Sequence, residues 1–295
     1  MSGEITQRSF ETIYADAPAD QRERLREFRA SHVARQATVN GVTWDYIDSG
    51  SGSETILLLV GGLRVADAAY RNIPMLEDEF RVITPSYPAL STMAALTDGL
   101  VGVLAAAGVD QAHVLAGSFG GMVAQVLVRR QPSRVAKLVL STTTVLDSDS
   151  ASRYRQSLDM LRPLPPETAA DFAKDYMLRT VAPPENEMNF WRAYLDELYS
   201  YRINKAELIS TYECLLDFAE NYRFSPNDLA GWPGQILILE SDDDATFDAA
   251  ARASVRALYP QAQTYTFHGA GHSPGTTQRE LYFRVVKDFL RSTEA

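Results

Sequence analysis

Short apolar runs alternate with stretches of helical periodicity through the first half of the chain. The runs at 55–62 (TILLLVGG), 80–88 (FRVITPSYP) and 136–144 (AKLVLSTTT) predict strands, and another strand ends at 113–115 (HVL). The unbroken run TILLLVGG is typical of a strand buried on both faces of a parallel sheet. Residues 92–108 have the period of a helix. Strands that alternate with helices predict crossover connections and an α/β, doubly wound, mostly parallel sheet.

The alternation stops after residue 144 and resumes near residue 232. Residues 145–231 contain several amphipathic helical patterns and no convincing strand, although an ordinary helix–strand connection needs only a few residues. We therefore predict a helical cap at 145–231 inserted into a core domain formed by 35–144 and 232–295. A hairpin about Asn40-Gly41 and two strands after the cap bring the predicted sheet to eight strands.

Residues 1–34 form a polar arm that precedes the sheet. Its segment ADQRERLREFRASH predicts a helix with Leu25 and Phe28 on one face. The arm can pack on its own chain or reach a second copy in a homodimer, and the sequence favours neither.

Composition narrows the classes of partner. The 295 residues carry a net charge of −10 without a basic stripe, which argues against nucleic acid. No apolar run approaches the ~18 residues of a membrane span, and the N-terminus has no signal-peptide core. The single cysteine, Cys214, excludes an intrachain disulfide and predicts a packed residue in a reducing compartment, so we expect a cytoplasmic protein.

The segment LAGSFGGMVAQ puts Ser118 on a sharp turn between a strand and a helix expected at Met122 to Arg130. Ser118 can simply cap that helix. It can also be a nucleophile at a strand–turn–helix elbow of the form G-x-S-x-G, with Ala116 in place of the first glycine and Gly120 at the second.

A serine nucleophile needs a base, and the chain has four histidines. His113 lies five residues before Ser118 on the same strand, about 16 Å away at ~3.3 Å per residue. His32 belongs to the arm, and His268 falls on the last strand, where packing or a supporting hydrogen bond is expected. His272 follows that strand in the loop GAGHSPG, at the sheet edge where α/β proteins build sites, and we select it as the base.

The carboxylate that orients this histidine is expected in LILESDDDATF, which contains Asp242, Asp243 and Asp244. We select Asp244 for its distance from the strand end at Ser241, with Asp243 second. The same run can be a solvated loop, a helix start or a metal site, although no further ligand follows at metal-binding spacing.

An oxyanion hole needs two backbone N–H groups aimed at the developing charge. We predict that of Phe119, next to the nucleophile, and that of Gly62 after the strand TILLL, with Leu63 second. Glycine permits a close approach of the backbone to a substrate.

These segments, in this order, resemble the alpha/beta-hydrolase superfamily over about residues 36 to 291. The segments DGLVGVLAAAGVDQAHVLAGSFGGMVAQ and ALYPQAQTYTFHGAGHSP are further similar to maspardin-like bacterial hydrolases. The resemblance implies an alpha/beta-hydrolase fold with a cap and a Ser-Asp-His chain order. Val60 stands where many members have histidine, and Ser241 where many have glycine. His272 is present at the position expected of the catalytic base, which favours catalytic activity.

The resulting expectation is a serine hydrolase that cleaves a carboxylic ester, lactone or thioester of an apolar small molecule, with no metal or cofactor. Leu63, Tyr176, Trp191 and Tyr194 are predicted to line its pocket, because the cap is rich in aromatic side chains. Carbon–carbon bond hydrolysis uses the same three residues. A non-hydrolytic binding, adaptor or biosynthetic role on the same fold is the other alternative.

Overall fold

One eight-stranded sheet organises the chain, for which the computed structural model describes residues 8–292. The strand order is β1-β2-β4-β3-β5-β6-β7-β8, antiparallel at β1/β2 and β2/β4 and parallel elsewhere, as predicted. The strands are β1 (Arg35–Val39), β2 (Val42–Ser49), β3 (Thr55–Leu59), β4 (Arg81–Pro85), β5 (Ala112–Gly117), β6 (Val135–Ser141), β7 (Ile236–Ser241) and β8 (Gln263–Phe267).

The helices follow the pattern expected of alternating strands and crossovers. They are α1 (Phe10–Ile13), α2 (Ala19–Ser31), α3 (Met93–Ala106), α4 (Phe119–Arg130), α5 (Ser148–Leu161), α6 (Pro166–Val181), α7 (Met188–Glu197), α8 (Lys205–Asn221), α9 (Ala249–Leu258), α10 (Pro274–Thr277) and α11 (Arg279–Arg291). No helix among residues 8–292 combines the length and apolar character needed to cross a membrane.

Helix α4 begins three residues earlier than the sequence indicated, at Phe119 instead of Met122. The reason is close packing. A Cβ atom at Gly120 would lie 2.6 Å from the carbonyl oxygens of Leu59 and Val60, so only glycine lets the first turn of the helix approach β3. The glycines that suggested a loop are therefore part of the helix.

Helices α5 to α8 all fall between β6 and β7, within the segment proposed as a cap. The stretch 184–202 consists of a 3₁₀ turn, then α7, then a five-residue π-helix over Leu198–Arg202. The π-helix is closed by the Ile203 N–H, which donates to the Leu198 carbonyl at 2.8 Å. This wide turn carries the side chain of Arg202 to the buried carboxylate of Asp67.

The described part of the arm packs on its own chain. Leu25 and Phe28 of α2 are buried, as the pattern predicted, and the Phe28 ring meets Tyr70 edge-on at 6.3 Å between centroids. Arg29 on the same helix pairs with Asp67, which lies after β3. The first seven residues of the predicted arm lie outside the described residues.

Strand order explains where a site can form. The chain runs outward from β3 to β4 on one side and from β5 to β6, β7 and β8 on the other, so the direction of winding reverses between β3 and β5. The loops after these two adjacent strands diverge and leave a crevice at their carboxyl ends. Gly61 and Gly62 follow β3, and Ser118 follows β5.

Candidate active site

Ser118 is held in a strained conformation at the turn between β5 and α4, with φ 51° and ψ −122°. Such a conformation is costly for a residue with a Cβ and persists only where its surroundings enforce it. The Ser118 N–H donates to the Ser141 carbonyl at 3.0 Å, and the Thr143 hydroxyl donates to the Ser118 carbonyl at 2.8 Å. Its side chain makes no capping bond to α4, so the strain presents the hydroxyl to a partner other than its own helix.

That partner is His272. Its Nε2 lies 3.0 Å from Ser118 Oγ, and its Nδ1 lies 3.1 and 3.0 Å from the two carboxylate oxygens of Asp244. With the proton on Nδ1, the imidazole donates to Asp244 and accepts from the serine hydroxyl. The Asp244 carboxylate is shielded from solvent, and Phe247 meets the imidazole edge-on at 5.3 Å. The structure thus brings together the three residues selected as a triad.

Asp244 is also held in place by the backbone beyond it. Its Oδ1 accepts from the N–H groups of Thr246 at 2.8 Å and Phe247 at 3.2 Å. These bonds orient the carboxylate towards His272 and stabilise its charge without a cation.

The two preceding aspartates, Asp242 and Asp243, both accept hydrogen bonds from the loop that carries His272. Asp242 accepts from the Gly269 N–H at 3.0 Å and contacts the His268 imidazole at 2.7 Å. Asp243 accepts from the Gly271 N–H at 2.8 Å. Gly271, with φ 62°, makes the left-handed turn that delivers the next residue, the histidine of the triad. Asp242 and Asp243 therefore hold the loop that carries His272 in position.

Ser241, at the end of β7, supports Asp243 in this role. Ser241 donates its hydroxyl to Asp243 Oδ1 at 2.7 Å, a bond that a glycine there could not make. The Ser241 hydroxyl and the Gly271 N–H both lower the pKa of Asp243, which favours the ionised form of this carboxylate. Asp243, second choice as the triad acid, points to the backbone next to His272 and not to its ring.

The predicted oxyanion groups come from the two diverging loops. Phe119 is the first residue of α4, where a backbone N–H has no acceptor within the helix. Gly61 passes so close to the elbow that a Cβ there would lie 3.3 Å from Ser118 Cβ. Gly62 follows and lines the same cavity as Ser118. Both residues thus belong to segments next to Ser118, and their N–H groups remain the predicted components of an oxyanion hole.

Val60, which replaces the histidine common in similar sequences, is held by its backbone. Its carbonyl accepts from the Tyr87 hydroxyl at 2.8 Å, and the Tyr87 ring meets Phe119 edge-on at 5.7 Å. Tyr87 thus braces both sides of the predicted oxyanion hole. Sequence reasoning missed Tyr87, because the motif FRVITPSYP predicts only a strand and its end.

A cavity of about 180 Å³ opens above Ser118 and His272. Leu63 and Trp191, both predicted to contact substrate, line it, together with Met177 of α6. This volume is below the ~300–1,000 Å³ of pockets that take drug-sized ligands.

Two further residues predicted to bind substrate lie elsewhere among the described residues. Tyr176 is 44% exposed and outside the cavity lining. Tyr194 is buried, and its hydroxyl donates to Asp67 Oδ1 at 3.3 Å. Each tyrosine lies on its helix next to the face that lines the cavity. Helical periodicity alone did not show which face of each helix that would be.

The other histidines lie away from Ser118. His113 is buried in β5 with Nε2 3.2 Å from Glu54 Oε1, and His32 stacks on Phe28 at 4.0 Å between centroids. His268, for which packing or a supporting hydrogen bond was expected, follows β8, is largely exposed and contacts Asp242. Cys214 is buried as predicted, with Sγ 3.0 Å from the Leu90 carbonyl. Between residues 8 and 292 no group of three or more His, Cys, Asp or Glu side chains has the arrangement of a metal site.

Comparisons with known proteins agree with the fold. A family model described as alpha/beta hydrolase fold matches residues 54–275. The 2-hydroxy-6-oxononadienedioate/2-hydroxy-6-oxononatrienedioate hydrolase 1 of Dechloromonas aromatica is 25% identical over 83% of this chain and 89% of that protein. The 2-hydroxy-6-oxo-6-phenylhexa-2,4-dienoate hydrolase of Burkholderia cepacia is 27% identical over 82% and 89%. The solved structure of carboxylesterase CesB from Bacillus subtilis has a TM-score of 0.71 at 19% identity, over 96% of this chain and 97% of that one, which shows the same fold.

Proposed function

Because this chain belongs to the alpha/beta hydrolase fold family, we propose that it is a serine hydrolase whose nucleophile is Ser118. The observation that carries the proposal is the unbroken hydrogen-bonded path from Ser118 Oγ through the His272 ring to Asp244. A serine hydroxyl becomes a useful nucleophile when an oriented base removes its proton, and this path supplies both base and orientation.

The proposed reaction has two halves. Ser118 Oγ attacks a carbonyl carbon while His272 Nε2 takes the hydroxyl proton, and the N–H groups of Phe119 and Gly62 hold the oxyanion. His272 then protonates the leaving group, and an acyl-enzyme remains on Ser118. Water attacks this acyl group with His272 again as base, and collapse of the second tetrahedral intermediate releases the carboxylic acid.

A carboxylic ester, lactone or thioester of a small molecule is the substrate class that this geometry supports best. Its leaving group needs one proton, which His272 supplies, and no further catalytic group. The small cavity favours short acyl chains. The helices between β6 and β7, proposed as a cap, provide Met177 and Trp191 to its lining and are expected to select among such substrates.

Carbon–carbon bond hydrolysis is a second candidate, favoured by the curated relatives. Their names describe 2-hydroxy-6-oxo acids. Such a compound contains no ester, so a hydrolase acting at its 6-oxo carbon must break a carbon–carbon bond. The same serine, histidine and oxyanion groups serve this reaction, but the leaving carbanion must be stabilised as a dienolate before it is protonated.

A fluorophosphonate probe tests the proposal, because it labels a serine only when the hydroxyl is activated and an oxyanion hole accepts the adduct. We expect stoichiometric labelling of the wild type at Ser118, none in Ser118→Ala, and a strong reduction in His272→Ala. A folded wild type that resists a small probe, both intact and with residues 145–231 replaced by a short linker, would overturn it in favour of a binding or adaptor role.

Substrate assays then separate the two hydrolytic candidates. We expect turnover of short aliphatic 4-nitrophenyl esters. Turnover of a 2-hydroxy-6-oxo-dienoate with a higher kcat/KM than any ester of similar length would assign the carbon–carbon reaction to this site instead.

A further inference from the structure

Arg71 is a buried cation in the lining of the Ser118 cavity, and the proposed reaction does not use it. Its side chain is only 5% exposed. Nε donates to the Tyr70 hydroxyl at 2.6 Å, and Nη1 donates to both carboxylate oxygens of Glu187 at 2.6 and 2.7 Å. Nη2 is buried and has no hydrogen-bond acceptor among the described residues. Leaving such a charged donor unmatched is costly, which indicates an acceptor that the folded chain does not provide.

Local charge also favours an anion beside Arg71. Arg279 lies close enough that its pKa is lowered, first by burial and then by the positive charge of Arg71, while Glu187 partly offsets both. Arg279 Nε is likewise buried without an acceptor in the described part of the chain. Two guanidinium groups thus face one carboxylate, and that carboxylate also accepts from Trp191 Nε1 at 3.2 Å. Arg24 adds further positive charge near Arg279, so positive charge predominates next to Glu187.

We propose that Arg71 binds a carboxylate of the substrate, so that this enzyme prefers short esters, or related carbonyl compounds, that carry an acid group. This inference rests on the proposed function, since it concerns the same cavity. Nε and Nη1 of Arg71 already have acceptors, so Nη2 is the donor left to make a charge-assisted hydrogen bond to that acid. Ser118, Gly62 and Arg71 share a cavity of about 180 Å³, so acid and reacting carbonyl are separated by only a few carbon atoms. Asn72, the next residue in the lining, offers an amide donor to the same group.

The test compares two substrates that differ only in charge, monomethyl glutarate and methyl glutaramate, by methanol release. We expect the wild type to favour the acid over the amide in kcat/KM by at least tenfold. Arg71→Gln should reduce this preference by tenfold or more, chiefly through the KM of the acid. Arg284→Gln makes the same chemical change on the exposed face of α11 and should leave the preference unaltered.

Glu187→Gln separates recognition from a structural role. If Arg71 binds the substrate acid, removing its competitor should increase the preference for monomethyl glutarate. If Arg71 and Glu187 only hold the fold together, both variants lower the melting temperature and depress both substrates equally. Should Arg71→Gln not fold, Arg71→Lys keeps the charge without the guanidinium group and should retain a smaller preference for the acid.

Two results would overturn the inference, and they are distinguishable. A wild type that is labelled at Ser118 and hydrolyses both esters equally refutes acid recognition and leaves the proposed function standing. A wild type that is neither labelled nor active on either ester refutes both.

Discussion

Two buried clusters of polar side chains join distant parts of this chain, and they differ in one respect. The proposed triad of Ser118, Asp244 and His272 links the loops after β5, β7 and β8. The second cluster, which we call the arm–cap network, links α2, the turn after β3 and the helices α7 and its π-helical extension. It consists of Arg29, Asp67, Glu197 and Arg202 with the hydroxyls of Tyr14 and Tyr194.

The arm–cap network is closed on itself. Two arginines meet two carboxylates at 2.6 to 2.9 Å, so its charges balance within the protein. Burial alone would raise the pKa of Asp67, but the charges of Arg202 and Arg29 outweigh it and hold the pKa below its usual value. All three guanidinium nitrogens of Arg29 donate to carboxylates, and Arg202 Nη1 donates to Asp67.

The proposed triad, in contrast, ends at a side chain that lines a cavity. Asp244 and His272 satisfy each other, while Ser118 Oγ faces a cavity. Arg71 resembles the arm–cap arginines in its pairing with a carboxylate, but it lines the Ser118 cavity and its buried Nη2 has no acceptor among the described residues. The comparison shows that burial and pairing do not by themselves mark function. What distinguishes the proposed triad is a nucleophilic hydroxyl, paired with a base, in the lining of a cavity.

The largest expected effect is on the proposed triad. His272→Ala should lower kcat by about 10⁶-fold, as removal of the base does in other Ser-His-Asp enzymes, with little change in melting temperature. Steady-state kinetics and a thermal melt measure the two quantities. A residual kcat within tenfold of the wild type would show that another group activates Ser118.

Substitutions of the neighbouring residues Asp244 and Asp243 should have very different effects on kcat. Asp244→Asn should lower kcat by about 10⁴-fold, because the amide favours the wrong histidine tautomer. Asp243→Asn removes only a charge from a bond to the Gly271 N–H and should cost roughly tenfold. Equal losses in the two variants would contradict the assignment of Asp244 as the triad acid.

Breaking the closed cluster should affect stability instead of chemistry. Asp67→Asn leaves buried guanidinium charge uncompensated and should lower the free energy of unfolding by about 3 kcal/mol, measured by urea denaturation. Asp78→Asn, which removes an exposed carboxylate from Lys287, is the matched control and should cost less than ~1 kcal/mol. Similar losses in the two variants would show that the arm–cap network is not a stabilising contact.

The smallest effect is a pH dependence. Since the pKa of Asp67 is lowered on folding, its contribution to stability is complete above the unfolded value of ~3.9 and is lost as pH falls through the folded value. The stability difference between wild type and Asp67→Asn should therefore be constant from pH 7 to 5 and shrink below pH 4. Melting curves across this range measure it, and a difference that grows on acidification would contradict the sign.

Local pattern was sufficient wherever one segment carries its own physical signature. The fully apolar β3, the hairpin at Asn40-Gly41 and the long helical insertion were all predicted, because burial and turn geometry act over a few residues. Ser118 and His272 were predicted because parallel strands deliver their following loops to one edge, whatever their separation in sequence. Glycine was misleading at the start of α4, where it serves a contact with β3 instead of a loop.

The sequence by itself therefore determined the sheet, the helical insertion and the candidate residues for a nucleophile, a base and an acid. Tertiary structure decided which of three adjacent aspartates meets the histidine ring, since each points to a different atom of one loop. It alone paired Arg29 with Asp67 and Glu197, and left Arg71, which lines the cavity, with a buried donor that has no acceptor among the described residues. The physical reason is that hydrogen bonds depend on distance and direction to within a few tenths of an ångström, and such geometry between distant segments leaves no periodic trace in the chain.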